Sequence, residues 1–125
     1  MTLQEFLLAN PVDKLKKDVV IELERGEERM DAVFTICAVS EKQLNEFKRI
    51  KGDDFSMDET MVINCVLEPN FKSGENIRKA GCATAEQYLR KTLKRGEYRV
   101  LAEEIIRFSG FGAGVKDLKQ QAKNS

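Results

Sequence analysis

The side chains of this 125-residue chain best suited to covalent chemistry are three cysteines, Cys37, Cys65 and Cys82, and no histidine accompanies them. A cysteine or serine nucleophile needs an adjacent base, most often imidazole. Cys-His and Ser-His catalysis are therefore both excluded, and the commonest metal ligand is missing. The cysteines are odd in number, far apart and never in a C-x-x-C pair. Neither a disulfide framework nor a zinc site follows from that spacing. Cys37 and Cys65 lie in apolar runs and are expected in the core. Cys82, beside Gly81 near a helix start, is expected to be more open.

Carboxylates are the next candidates. Glu103 and Glu104 are neighbours on a helix and point apart, so they form no acid–base dyad. Asp53, Asp54, Asp58 and Glu59 could gather round a cation, which would make a small metal-dependent enzyme the alternative reading. Their spacing is not that of a calcium loop. Asp58 and Glu59 at the start of a helix are better explained by its positive end. Gly110-x-Gly112-x-Gly114 looks like a nucleotide-binding run, but the fingerprint requires a strand before it and here a helix precedes it. A hinge between helices is the better reading. The basic cluster Arg90, Lys91, Lys94, Arg95 and Arg99 has no tryptophan or interleaved aromatic residue beside it. With a net charge of zero, nucleic acid is not the expected partner, and an acidic protein surface is. No catalytic residue, cofactor or metal is expected.

Hydrophobic residues make up 42% of the chain and charged residues 34%, as in a globular domain with a well-charged surface. The length fits a single domain, 1–125. No apolar run is long enough for a membrane span, and the N-terminus lacks the basic start of a signal peptide. A cytoplasmic protein is expected. Residues 1–70 carry 15 acidic and 9 basic side chains, and residues 71–125 carry 6 acidic and 12 basic. The first reading of this asymmetry is a solvated charged face on each element; the alternative is that acidic and basic surfaces meet within the fold or between copies, making a homo-oligomer a candidate assembly.

Three capping-box patterns mark helix starts at Thr2-Leu3-Gln4-Glu5, Ser40-Glu41-Lys42-Gln43 and Thr84-Ala85-Glu86-Gln87. The first opens a short helix or loose arm within residues 1–11, which Asn10-Pro11 ends. Asp18–Leu23 and Asp31–Val39 read as a β-hairpin joined through Gly26. Phe34, Ile36 and Ala38 share one face and Val33, Thr35 and Cys37 the other. Both faces are fairly apolar, so each should be covered. A helix follows with Leu44, Phe47 and Ile50 at helical spacing, closed by Gly52. Residues 58–68 read as an apolar, buried helix ended by Pro69, and 70–83 as a loop with one turn near Ile77. Tyr88, Leu89, Thr92 and Leu93 stripe the next helix, which Gly96 breaks. Leu101, Ala102, Ile105, Ile106 and Phe108 face inward on the one after it. The expected fold is α+β: an N-terminal β-hairpin followed by four or five α-helices in a single compact domain.

The segment Tyr88–Tyr98, YLRKTLKRGEY, is similar to the helix–Gly-Glu-Tyr–helix junction of XkdN-like phage tail assembly chaperones. Ile105–Phe111 resembles their closing helix and Gly-Phe, and Val115–Leu118 with Gln121–Asn124 their polar last helix. The order of hairpin, helix after Ser40 and apolar helix before Pro69-Asn70-Phe71 also matches. These are packing motifs. The resemblance implies a chaperone in the cytoplasm of a bacterial host, serving a phage or phage-derived contractile particle. It would bind the long helical tape measure protein, keep it soluble while tail tube subunits polymerise, and be absent from the mature particle. The alternative within that setting is a structural tail component.

The surface expected to meet that partner combines Phe108, Phe111, Val115 and Leu118 with the basic residues Arg90, Lys94 and Arg95. A helix at 112–125 is marginal by itself and carries only two large apolar residues; docking permanently on the core is the first reading, and the alternative is that it swings on the glycines and closes over a partner helix.

Overall fold

Strand alternation sets the architecture. The structure, a computed structural model, describes residues 1–51 and 54–111, the side chains of 50, 51 and 54–56 aside. Strands β1 (Lys16–Arg25) and β2 (Glu28–Cys37) pair antiparallel from Lys16↔Cys37 to Arg25↔Glu28. Gly26 takes φ +66° at the first of the two turn positions, a conformation that suits a two-residue hairpin and that glycine adopts without a steric penalty. Val19, Ala32, Phe34 and Ile36 point inward and are buried. Leu15 carbonyl accepts from the Ala38 amide at 3.1 Å, extending the pairing past the strand end.

Helix α1 (Leu3–Ala9) precedes the hairpin, and a 3₁₀ turn at Val12–Lys14 joins them. The expected caps form. Thr2 Oγ1 accepts from the Glu5 amide at 3.1 Å. At α2 (Glu41–Lys51) the box closes both ways: Ser40 Oγ accepts from the Gln43 amide at 3.2 Å, and Gln43 Oε1 accepts from the Ser40 amide at 3.1 Å. At α5 (Ala85–Thr92), Thr84 Oγ1 accepts from the Gln87 amide at 3.1 Å, while Gln87 reaches back to the Ala83 amide.

Four local readings are corrected. Helix α3 spans Asp54–Cys65, starting earlier and ending sooner than 58–68. Val66–Glu68 forms instead a third strand, β3, antiparallel to β2, giving the order β1-β2-β3. A residue before proline is driven to extended backbone, and β-branched Val66 favours it too. Residues 74–79 form a helix, α4 (Gly74–Lys79), capped by Ser73 and ended by Gly81 at φ +73°. It lacks an apolar stripe and opens on glycine, so its sequence looked like a loop. Finally, Gly96 does not break the chain. Helix α6 (Arg95–Phe108) begins before it, because Glu97 accepts from the Lys94 amide at 2.9 Å and fixes the start there. Six α-helices thus occur among the described residues, against four or five expected, within the α+β class.

Helices α3 and α6 pack on the inner face of the sheet. Met61, Val62 and Cys65 of α3 meet Leu101 and Ile105 of α6 in a core shared with Phe34, Ile36, Leu89 and Phe71. Phe71 and Tyr88 lie 5.3 Å apart between ring centroids at a tilted 52°. No helix among the described residues is long and apolar enough to cross a membrane.

Candidate partner-binding surfaces

The residues with chemical potential are used for structure. Cys65 is buried, and burial followed by the adjacent Cys37 pushes its thiol up to about 12, so it is a weak nucleophile at neutral pH. Cys82 is half-buried, more enclosed than expected. Because α3 starts at Asp54, Asp58 and Glu59 sit in its second turn and not at the positive end. Glu59 is 3% exposed and faces Arg90, which donates to both carboxylate oxygens at 2.5 and 2.8 Å. A buried carboxylate needs such a partner. Hydrogen bonding to Glu59 is also the main cause that raises the Arg90 pKa. Among the described residues, no three His, Cys, Asp or Glu side chains lie where they could hold a metal ion. Asp53 falls outside the described residues.

The expected basic site is therefore partly spent on the fold. Arg90 holds Glu59, Lys91 donates to the Ala80 carbonyl, and Arg99 lies 3.6 Å from Glu103. Lys94 and Arg95 are exposed at the α5–α6 junction. That junction is fixed by Arg25 at the hairpin tip, which donates to the two Glu97 oxygens at 2.9 and 2.8 Å and to the Thr92 carbonyl at 2.8 Å. The Arg25 hydrogen bond also holds the Glu97 carboxyl below its ordinary pKa.

Phe108 and Phe111 are half-buried against the core. Gly110, at φ +86°, ends α6 in a Schellman cap: the Gly110 amide donates to Arg107 carbonyl at 3.1 Å and the Phe111 amide to Ile106 carbonyl at 3.0 Å. Ser109 Oγ accepts from the Val39 amide at 2.8 Å and fastens this corner to the end of β2. Gly110 is thus a helix stop held in place, and any hinge would have to lie beyond Phe111. Val115, Leu118 and the expected helix at 112–125 lie outside the described residues.

Two apolar surfaces that were not among the expected site residues stand open. Helix α1 has no buried residue, and Leu3, Phe6, Leu7 and Leu8 are between 52% and 74% exposed. On the outer face of the hairpin, Val20 is 62% and Val33 57% exposed, and they stand directly opposite each other. Both sheet faces were expected to be covered, and among the described residues nothing buries Val20 or Val33. Scattered apolar residues are ordinary on a surface, whereas four large ones exposed together on one seven-residue helix are not. No local pattern marks α1 as open: Phe6-Leu7-Leu8 is exposed, whereas the equally apolar run Met61-Val62-Ile63 of α3 is buried.

A family model described as phage XkdN-like tail assembly chaperone protein matches residues 3–123. The chain belongs to this family. The fold of this chain is similar to that in a crystal structure of the protein yqbn, with a TM-score of 0.63 at 17% sequence identity, covering 90% of this chain and 98% of that one. No curated protein matches. Membership fits a non-enzymatic assembly role for this XkdN-like chain, and in that setting its open apolar surfaces become candidate binding surfaces.

Proposed function

We propose that this chain binds the tape measure protein, keeps it soluble while the tail tube assembles around it, and leaves before the particle is complete. Family membership supports an assembly role, and the observation that carries the binding claim is α1. Its Leu3, Phe6, Leu7 and Leu8 are held in helical geometry and each is more than half exposed. Each such side chain contributes about 1.5–3 kcal/mol when buried against a partner, so a few suffice for useful affinity. The partner is long, helical and apolar in stretches, and an amphipathic helix laid against it is an ordinary recognition mode. The same surfaces involve no catalysis, and the bacterial cytoplasm is where this work would take place. The tail tube protein and a second copy of the chain are further partners.

A pull-down from cells expressing the tail genes tests the reading. The tape measure protein is expected to co-purify with the chain and to become insoluble without it. Recovery of no tail protein would count against the reading. Mass spectrometry of purified particles separates a chaperone, which should be missing, from a structural tail component, which should be present.

A further inference from the structure

The outer face of the hairpin is apolar at its centre and acidic around it. The ladder places Val20 opposite Val33 and, next along, Glu22 opposite Asp31. Asp18 precedes the valine pair on β1, and Glu68 stands opposite Thr35 on β3. Like charges directly opposite on neighbouring strands destabilise a sheet. Arg29 offsets this only in part, reaching Glu22 at 3.6 Å and Glu24 at 3.4 Å while itself 69% exposed. Asp31 is beyond these contacts. A repulsive pair beside an open valine pair is a local conflict of the kind found where a surface is shaped for something else.

From this face we infer the chemistry of the partner segment: a cationic amphipathic helix whose apolar stripe lies on Val20 and Val33 and whose lysine or arginine side chains sit between Glu22 and Asp31. This rests on the chaperone reading and names which part of a client the sheet would hold. Charge complementarity selects the occupant. A second copy, which carries exposed Lys94 and Arg95 at its α5–α6 junction, is the occupant to be told apart.

The test uses the full chain and a synthetic amphipathic helix of about 18 residues with a leucine stripe and lysine flanks. The wild-type chain should bind it, and should bind the same peptide with glutamate flanks far more weakly. Val20→Thr with Val33→Thr keeps the β-branched shape and removes the apolar surface, and should weaken binding by about tenfold or more. Asp31→Lys should weaken it similarly while raising the melting temperature of the free chain, because it turns the repulsive pair with Glu22 into an attractive one and leaves the Arg29–Glu22 contact in place. A merely structural role for Asp31 would not give those two opposite effects. Unchanged affinity in the Val20/Val33 variant overturns the inference. So does a wild-type dimer that Asp31→Lys dissociates, or a shift of the Val20 and Val33 methyl resonances on deleting 112–125, since either names a different occupant. The tape measure pull-down keeps the two ideas apart. If the variants retain the tape measure as well as wild type does, the face is wrongly assigned and the chaperone reading stands. If wild type retains none, the chaperone reading fails whatever the peptide does.

Discussion

Val19 and Val20 are adjacent, chemically identical and on the same strand, yet one is 9% exposed and the other 62%. The inner face of the hairpin is closed by α3 and α6, with Phe34, Ile36, Leu101 and Ile105 fully enclosed. The outer face, like α1, is covered by no described element. Side-chain type cannot explain the difference, because both faces carry β-branched residues. What differs is the rest of the chain. Buried, interlocked apolar groups hold the fold together, whereas open ones add nothing to the stability of the free chain and stay available to a partner.

Substitutions separate the two regions, and the largest effect belongs to the closed one. Leu101→Ala or Ile105→Ala should lower the free energy of unfolding by about 2–5 kcal/mol in urea titration, through lost transfer energy and a residual cavity. The paired Val20→Thr and Val33→Thr change should stay within about 0.5 kcal/mol of wild type. Comparable losses at both sites would abolish the distinction. Next in size is Arg90→Met, which strands the Glu59 carboxylate in the core. It should lower the urea midpoint clearly and leave client binding unchanged, which would remove Arg90 from the partner surface and keep it in the structural one.

Much of the closed region was legible in the sequence. Capping boxes at Thr2, Ser40 and Thr84 located three helix starts, and alternation located the hairpin. Local pattern could not show where Val66–Glu68 would go, because an apolar run suits a buried helix or a short strand equally until a neighbouring strand accepts it. Nor could it show that Glu97 would be claimed by both the Lys94 amide and Arg25, 72 residues away, and so override Gly96. The candidate site was less legible for a related reason. Phe108 and Phe111 are half-buried against the core, and local pattern does not say how much of each stays open. Exposure is a property of what fails to pack, and a local apolar run does not state it: Phe6-Leu7-Leu8 is open and Met61-Val62-Ile63 is buried.

The ion pair at the hairpin tip gives a smaller, pH-dependent effect. The depressed Glu97 pKa, caused first by Arg25, means its stabilising contribution is complete above the unfolded value of about 4.3 and is lost as pH falls through the folded value. Glu97→Gln should therefore be less stable than wild type at pH 7, and the difference should shrink on acidification below about pH 4. A gap that widens in acid would contradict this. Smallest is the gain from Asp31→Lys, roughly 0.2–1 kcal/mol, readable as a raised melting temperature.

The central claim is that the open apolar surface of this XkdN-like chaperone exists for its client and not for its own fold. The most direct measurement is co-expression of the tape measure protein with wild-type chain and with Phe6→Ser/Leu7→Ser, recording soluble tape measure and the melting temperature of each purified chain. Loss of soluble tape measure at an unchanged melting temperature is the predicted result, because neither residue is buried in α1. A variant that keeps the tape measure soluble, or one whose melting temperature falls as the tape measure is lost, would contradict it.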